Sequence, residues 1–181
     1  TITLAGQTFT SINQGAKGDT GATGATGTAG ATGASGADFA FAGCLLKKAS
    51  DQTALNATGG VLLSWDTETF DVGGWHESVT HPTRITVPSG IAYIQLFGNV
   101  SVSLHTANKY LHVVMQKNGA DFIGQPAQLH ISDITQSRAN VQSAPIAVTA
   151  GDYFELEVQV ETDTSITIDA AYTWFAVKAL G

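Results

Sequence analysis

Downstream of residue 39 the apolar residues recur with a period of two. In "IAYIQLFGNVSVSL" Ile94, Leu96, Val100, Val102 and Leu104 share one face, while Tyr93, Gln95, Phe97, Asn99, Ser101 and Ser103 share the other. In "YFELEVQVET" Phe154, Leu156, Val158 and Val160 alternate with Glu155, Glu157, Gln159 and Glu161. This pattern predicts antiparallel strands with one buried and one wet face. The runs "FAGCLLKKA", "VLLSW", "TRITV", "YLHVVMQKNG", "NVQSAPIAV", "SITIDAA" and "TWFAVKAL" are further strand candidates. Between them stand turn residues such as Thr58-Gly59-Gly60, Pro88-Ser89-Gly90, Asn118-Gly119 and Ala150-Gly151-Asp152. No stretch carries a convincing helical period, so the expected fold class is all-β, as a sandwich or jelly roll.

Upstream the period is three. Gly15, Gly18, Gly21, Gly24, Gly27, Gly30, Gly33 and Gly36 stand in unbroken register through "GAKGDTGATGATGTAGATGASGAD". A flexible Gly/Ala/Thr linker gains nothing from strict spacing. A collagen triple helix requires it, because every third residue faces an axis with room only for hydrogen. The repeat therefore predicts a homotrimer, with a rod of about 75 Å at about 3.1 Å per residue. No proline occupies the triplets, so the rod is expected to be marginal alone and to need a clamp at its end. These periods divide the chain into an N-terminal arm over 1–14, a collagen-like segment over 15–38 and a β-domain over 39–181.

Composition narrows the partners. A net charge of −7 in 181 residues and the lack of a basic patch argue against nucleic acid and anionic membrane. No apolar run approaches the roughly 20 residues of a membrane span. The single cysteine, Cys44, rules out an intrachain disulfide and favours assembly in a reducing compartment. Its apolar surroundings, "FAFAGCLL", read as a buried, inert thiol. The arm "TITLAGQTFTSINQ" has neither the basic start nor the apolar core of a signal peptide. Ile2, Leu4 and Phe9 are its candidate anchoring residues, in a peptide suited to docking on a larger surface.

The order of "PTRITVPSGIAYIQLFGNVSV", "YLHVVMQKNG", "VTAGDYFELEV" and "TWFAVKAL" after a glycine-repeat stalk resembles the C1q/TNF-like jelly roll. The resemblance covers about residues 40–180. It implies a compact trimer of sandwiches around an axis, the clamp that the stalk needs. The segment "SWDTETFDVGGWHESVTHPTRITVPSG" more closely resembles C1q-like domains of tailed-bacteriophage structural proteins, which occur on tail fibres and on head fibres or decoration proteins.

Catalytic constellations are missing from the sequence: it has no GxSxG, HExxH, CxxC or P-loop. His76, His81, His105, His112 and His130 are scattered, and no cofactor or metal is expected. Asp66, Glu68 and Asp71 offer hard oxygen ligands of the calcium type, but exposed loop carboxylates are the plainer reading. The loop "DVGGWHESVTHP" is the candidate contact surface, with Trp75 and His76 as ligand-contact residues and Gly73-Gly74 as a source of mobility. A Trp75 that instead caps the open end of the sandwich is the alternative. Tyr93, Phe97, Tyr110 and His112, opposite the core aliphatics, are the candidate head-trimer interface.

Together these readings predict a non-enzymatic, homotrimeric virion surface appendage assembled in the host cytoplasm. Its N-terminal arm would dock on the major capsid protein or another virion protein. Its head would face solvent, with a cell-surface glycan or protein as potential ligand. Fourteen residues suffice to lie on a capsid, whereas tail fibres generally need a folded adaptor, which favours a head fibre or decoration protein over a tail receptor-binding fibre. A secreted C1q-like recognition protein is the more distant alternative.

Overall fold

A computed structural model describes residues 2–9, 15–30, 41–55, 59–103, 109–121, 127–131, 136–160 and 165–180. The chain separates into two units, Thr1–Ala37 and Asp38–Gly181.

In the first unit β1 (Ile2–Leu4) and β2 (Gln7–Phe9) form an antiparallel hairpin, which pairs Ile2 with Phe9 and Leu4 with Gln7. Its loop residues Ala5 and Gly6 have φ of 53° and 84°. Positive φ at both central positions is the loop geometry whose twist matches that of the flanking strands. The side chains of Ile2, Leu4 and Phe9 lie outside the described residues. Residues 15–30 form neither helix nor strand. Around Gly15, Gly18, Gly21, Gly24, Gly27 and Gly30 the space is open, and a Cβ added at any of them would meet nothing within 4 Å. Gly33 and Gly36 lie outside the described residues.

The second unit is a sandwich of two antiparallel sheets. One contains β4 (Gln52–Leu55), β15 (Ser165–Ile168), β8 (Tyr93–Ser103), β16 (Trp174–Ala179), β3 (Gly43–Lys47) and β6 (Thr67–Val72) in that order, with β12 (Ser137–Gln142) and β13 (Ile146–Ala147) also paired to β8. The other runs β10 (Ala120–Asp121), β9 (Lys109–Lys117), β14 (Tyr153–Val160), β5 (Val61–Leu62), with β11 (Ala127–Ile131) on β9 and β7 (Ile85–Thr86) on β14. The inward residues are those the alternation selects: Ile94, Leu96, Val100 and Val102 from β8 and Phe154, Leu156, Val158 and Val160 from β14 are all fully buried. Trp65 packs against Phe175 with ring centroids 5.9 Å apart, closing the core at one side. Leu104 lies outside the described residues.

Several elements differ from the sequence expectation. "TETFDV", read as an acidic loop, is the edge strand β6. Its first four residues are exposed, so no alternation announced it. "NVQSAPIAV" splits into the end of β12 and β13 because Ser143 leaves the ladder: its backbone N–H donates to Leu96 O at 3.0 Å, and its Oγ accepts from the Leu96 N–H at 2.9 Å. Ser101, expected on the wet face, is fully buried. Its hydroxyl donates to Asp169 at 2.8 Å, and its N–H donates to the Thr173 hydroxyl at 3.1 Å, so a 3-10 turn over Ala170–Tyr172 closes above that end of β8.

Burial of Cys44 is complete, and it pushes the thiol far above its ordinary pKa, an effect that Asp71 and Glu68 reinforce. The protonated thiol acts as a small core hydrophobe. Among the described residues no helix is long and apolar enough to cross a membrane.

Candidate functional site

The loop between β6 and β7 is pinned rather than loose. The Asp71 carboxylate accepts the backbone N–H of Gly74 (3.1 Å), Trp75 (2.9 Å) and His76 (3.1 Å), so one side chain caps the whole turn. Gly73 and Gly74 have φ of 119° and 74°, a region that residues with a Cβ rarely adopt. The glycine pair is therefore there to permit this turn, which corrects its reading as a source of mobility. At the far end Thr86 N–H donates to Trp75 O at 2.7 Å and Trp65 N–H to Pro82 O at 2.7 Å. Within the acidic run the Asp71 carboxylate is engaged by this turn, and that of Asp66 accepts the Ala49 N–H. Among the described residues no three metal-ligating side chains converge.

Trp75 is fully buried, and its indole N–H donates to Val72 O at 3.0 Å. The structure thus places it as the core cap, not as an exposed contact, because the capped turn directs the ring inward. His76 stays at the surface of the turn. Its Nδ1 bonds Arg84 O at 2.8 Å, and its Nε2 is buried with no hydrogen-bond partner among the described residues. A carbonyl only accepts, so Nδ1 carries the proton and Nε2 presents a lone pair in the neutral ring.

Under this loop lies a cavity of about 510 Å³, lined chiefly by Trp75, His76, His81, Arg84 and Tyr153. Its base is the outer surface of the six-stranded sheet. There Arg84 is held from two sides: its Nε lies 3.3 Å from Glu155, and its guanidinium stacks 3.9 Å from the Tyr153 ring centroid. Glu155 also accepts the Thr83 hydroxyl at 2.5 Å, which accounts for its burial on a face where the alternation predicts solvent. At the rim Glu77 accepts from Thr80 and faces His81 Nδ1 at 3.4 Å. The Thr80 bond first, then His81, holds the Glu77 carboxyl below its ordinary pKa. Beside the cavity the Gly151 turn is fixed by Asp152, bonded to Lys117 (2.8 Å), Asn118 (2.9 Å) and the Thr149 N–H (3.0 Å). These partners, in that order, hold the Asp152 carboxyl well below the ordinary carboxylate range.

On the opposite side the eight-stranded sheet turns to solvent an outer face on which aromatic side chains stand among polar ones such as Gln95, Asn99 and Lys178. Register places Phe70 of β6 beside Leu45 of β3, and sets Ala176 of β16 beside Phe97 of β8. Tyr93 is 53% exposed and Phe70 39%. Phe97 and Trp174 border a second cavity, of about 440 Å³. Tyr93 and Phe97 therefore share one surface. Tyr110 and His112 share another, on the outer face of the six-stranded sheet, where their rings lie 6.4 Å apart. Alternation marks all four as outward-facing, but they belong to opposite sides of the sandwich, so no single flat contact takes them together. Sequence reasoning missed Arg84 and Tyr153 as members of the pocket and Glu155 as the partner that holds Arg84, since only the fold carries residues 84 and 153 together.

Comparison with solved structures places this architecture. Murine APRIL at pH 5.0 superposes with a TM-score of 0.55 and 10% identity over 78% of this chain and 100% of that one. Eiger TNF from S. frugiperda gives 0.55 and 12% over 78% and 93%. The globular domain of zebrafish complement 1qA gives 0.55 and 9% over 78% and 98%. The fold is a C1q/TNF-like jelly roll. No protein-family description and no curated protein matches the sequence.

Proposed function

We propose that the chain is a non-enzymatic, homotrimeric surface appendage of a virion, in which a collagen-like stalk carries a C1q/TNF-like head. One observation carries the reading. Among the described residues nothing lies within 4 Å of a Cβ placed at Gly15, Gly18, Gly21, Gly24, Gly27 or Gly30, so no described contact demands a residue without Cβ at every third position. Two further copies wound about one axis supply the demand. The aromatic side chains on the outer face of the eight-stranded sheet, Tyr93, Phe97, Phe70 and Trp174, support the same trimer as anchors of the surface that three heads bury against one another. The N-terminal hairpin over residues 2–9 is the proposed anchor on the major capsid protein or another virion protein. Attachment to a tail is the alternative that places the same stalk and head on a different part of the particle.

The test has two arms. Sedimentation equilibrium of the full chain should return three times the mass of one chain; a monomer would sink the trimer and the stalk together. Electron cryo-microscopy of the source particle should place residues 2–9 on the capsid shell. Density at a tail, or none on the particle, would remove the capsid reading and leave the trimer to stand on the first result.

A further inference from the structure

We propose that Phe41, Phe70, Val72 and Tyr93 of three heads close into one apolar collar, at the end of the eight-stranded sheet that each chain reaches first after its glycine repeat. The occupant of this surface is a second and third copy of the chain, so the collar rests on the trimeric reading above and adds to it the residues that clamp the stalk. Among the described residues seven large hydrophobic side chains are exposed, and these four are among them. Monomers rarely gather such residues into one patch, and a gathered patch marks an interface.

The backbone does the gathering. Phe70 and Val72 stand two apart on β6, on the same side of the sheet, opposite Leu45 and Gly43 of β3. Phe41 precedes Gly43 by two residues, and its ring meets that of Phe70 edge-on with centroids 5.6 Å apart. A Cβ at Gly43 would stand 3.1 Å from the tip of the Phe41 ring, so the glycine leaves the space over which that ring lies. Beyond β3 the ladder runs on: Ala179 N–H donates to Ala42 O and Leu180 N–H to Tyr93 O, each at 2.9 Å. Residues 41, 180 and 93 therefore follow one another across the sheet. Lys178, opposite Gly43 on β16, stands beside the cluster. A lysine in that place lays its stem along apolar surface and keeps its ammonium in water.

Chain length selects the occupant. The repeat ends with Asp38, and Phe41 is three residues further on. Three residues span at most about 11 Å, whatever path they take. Three chains that leave one triple helix together therefore bring their Phe41 side chains within reach of a common axis. Val79 and Tyr110, also exposed, are under no such tether. Any other partner would have to displace two copies that the stalk already holds at this surface at high effective concentration.

The test uses the full chain and three variants. F41S/F70S removes both rings, and V72E adds a charge from each copy while removing no ring. V79S, on the β6–β7 loop, removes a side chain that is 88% exposed and serves as control. In sedimentation the concentration at which the trimer half-dissociates should rise at least about tenfold in F41S/F70S and in V72E, and by less than about twofold in V79S. Trypsin finds no lysine or arginine between Lys17 and Lys47, so the temperature at which it first cuts after Lys17 reports the stalk. That temperature should fall in the same two variants, while the melting of the head by near-ultraviolet circular dichroism holds. Should the double substitution lower head melting, V72E, at a half-exposed edge position, decides alone. Wild-type dissociation and cleavage in the collar variants, or a loss as large in V79S, would overturn the collar and leave the trimer standing. A wild-type chain that sediments as a monomer removes the trimer itself, and the collar with it.

Discussion

Substituting Gly24 by alanine puts the stalk to a test of sign. In the single chain the added Cβ meets nothing within 4 Å. If residues 15–30 worked as an independent linker, the change would be neutral. Where the native φ suits alanine it would even stabilise, by about 0.4–1 kcal/mol, since alanine restricts the unfolded chain. In a triple helix the same atom enters a crowded axis three times, once from each strand. Overpacking costs about 1–3 kcal/mol per site, so the trimer loses roughly 3–9 kcal/mol. The readout is built into the sequence, because Lys17 is the sole lysine or arginine before Lys47. Trypsin can cut the stalk only after Lys17, and only where the strands have separated. The wild type should resist cleavage there up to a defined temperature, and the G24A variant should be cut well below it, while the head melts unchanged. Equal cleavage of both proteins at every temperature would refute the stalk.

Three other outcomes follow from the head. Gly43 lies where a Cβ would sit 2.3 Å from Val177 O, a backbone atom of the paired strand β16, so G43A should destabilise the head by about 2–3 kcal/mol in chemical unfolding. Gly59, with nothing within 4 Å, is the control and should change by less than about 0.5 kcal/mol. Truncating the fully buried Phe175 to alanine should cost about 3–5 kcal/mol, and a value under about 1 kcal/mol would mean that the Trp65–Phe175 contact is not at the core. Asp152 has a folded pKa below its unfolded value of about 3.9, so its contribution is present above that pH and is lost as pH falls through the folded value. Melting curves of wild type and D152N should differ at neutral pH and converge on acidification below about pH 4; a difference that grew there would reverse the sign of the linkage.

Much of the fold was legible because the apolar residues of the long strands β8, β9, β14 and β16 alternate, and that alternation marks the inward face; it missed Ser101 and Glu155, polar residues buried through their own hydrogen bonds. The short or exposed strands were not. β6 carries Thr67, Glu68, Thr69 and Phe70 to the solvent at a sheet edge, and nothing in its composition distinguishes such an edge from a loop. The candidate site was half legible. "GGWH" pointed to the loop that overlies the cavity, but the inward turn of Trp75 depends on Asp71 reaching three N–H groups, a geometry that spacing alone does not encode. Tyr93 and Tyr110 look alike in sequence, each outward on its strand. Only the sheet assignment shows that they face opposite ways. Arg84 and Tyr153 meet through the pairing of β7 with β14, a contact between distant parts of the chain.

The way the β6–β7 loop is tied has a consequence for how this surface can change over generations. Asp71 secures its entry, and the bonds from Thr86 to Trp75 and from Trp65 to Pro82 secure its exit. Between these ties Glu77, Thr80 and His81 are bonded among themselves, and Val79 is 88% exposed. Substitutions there leave the sandwich intact while reshaping the rim of the cavity. The segment is a place where sequence can vary across generations, and where a protein engineer can graft a short peptide, without renegotiating the fold that displays it.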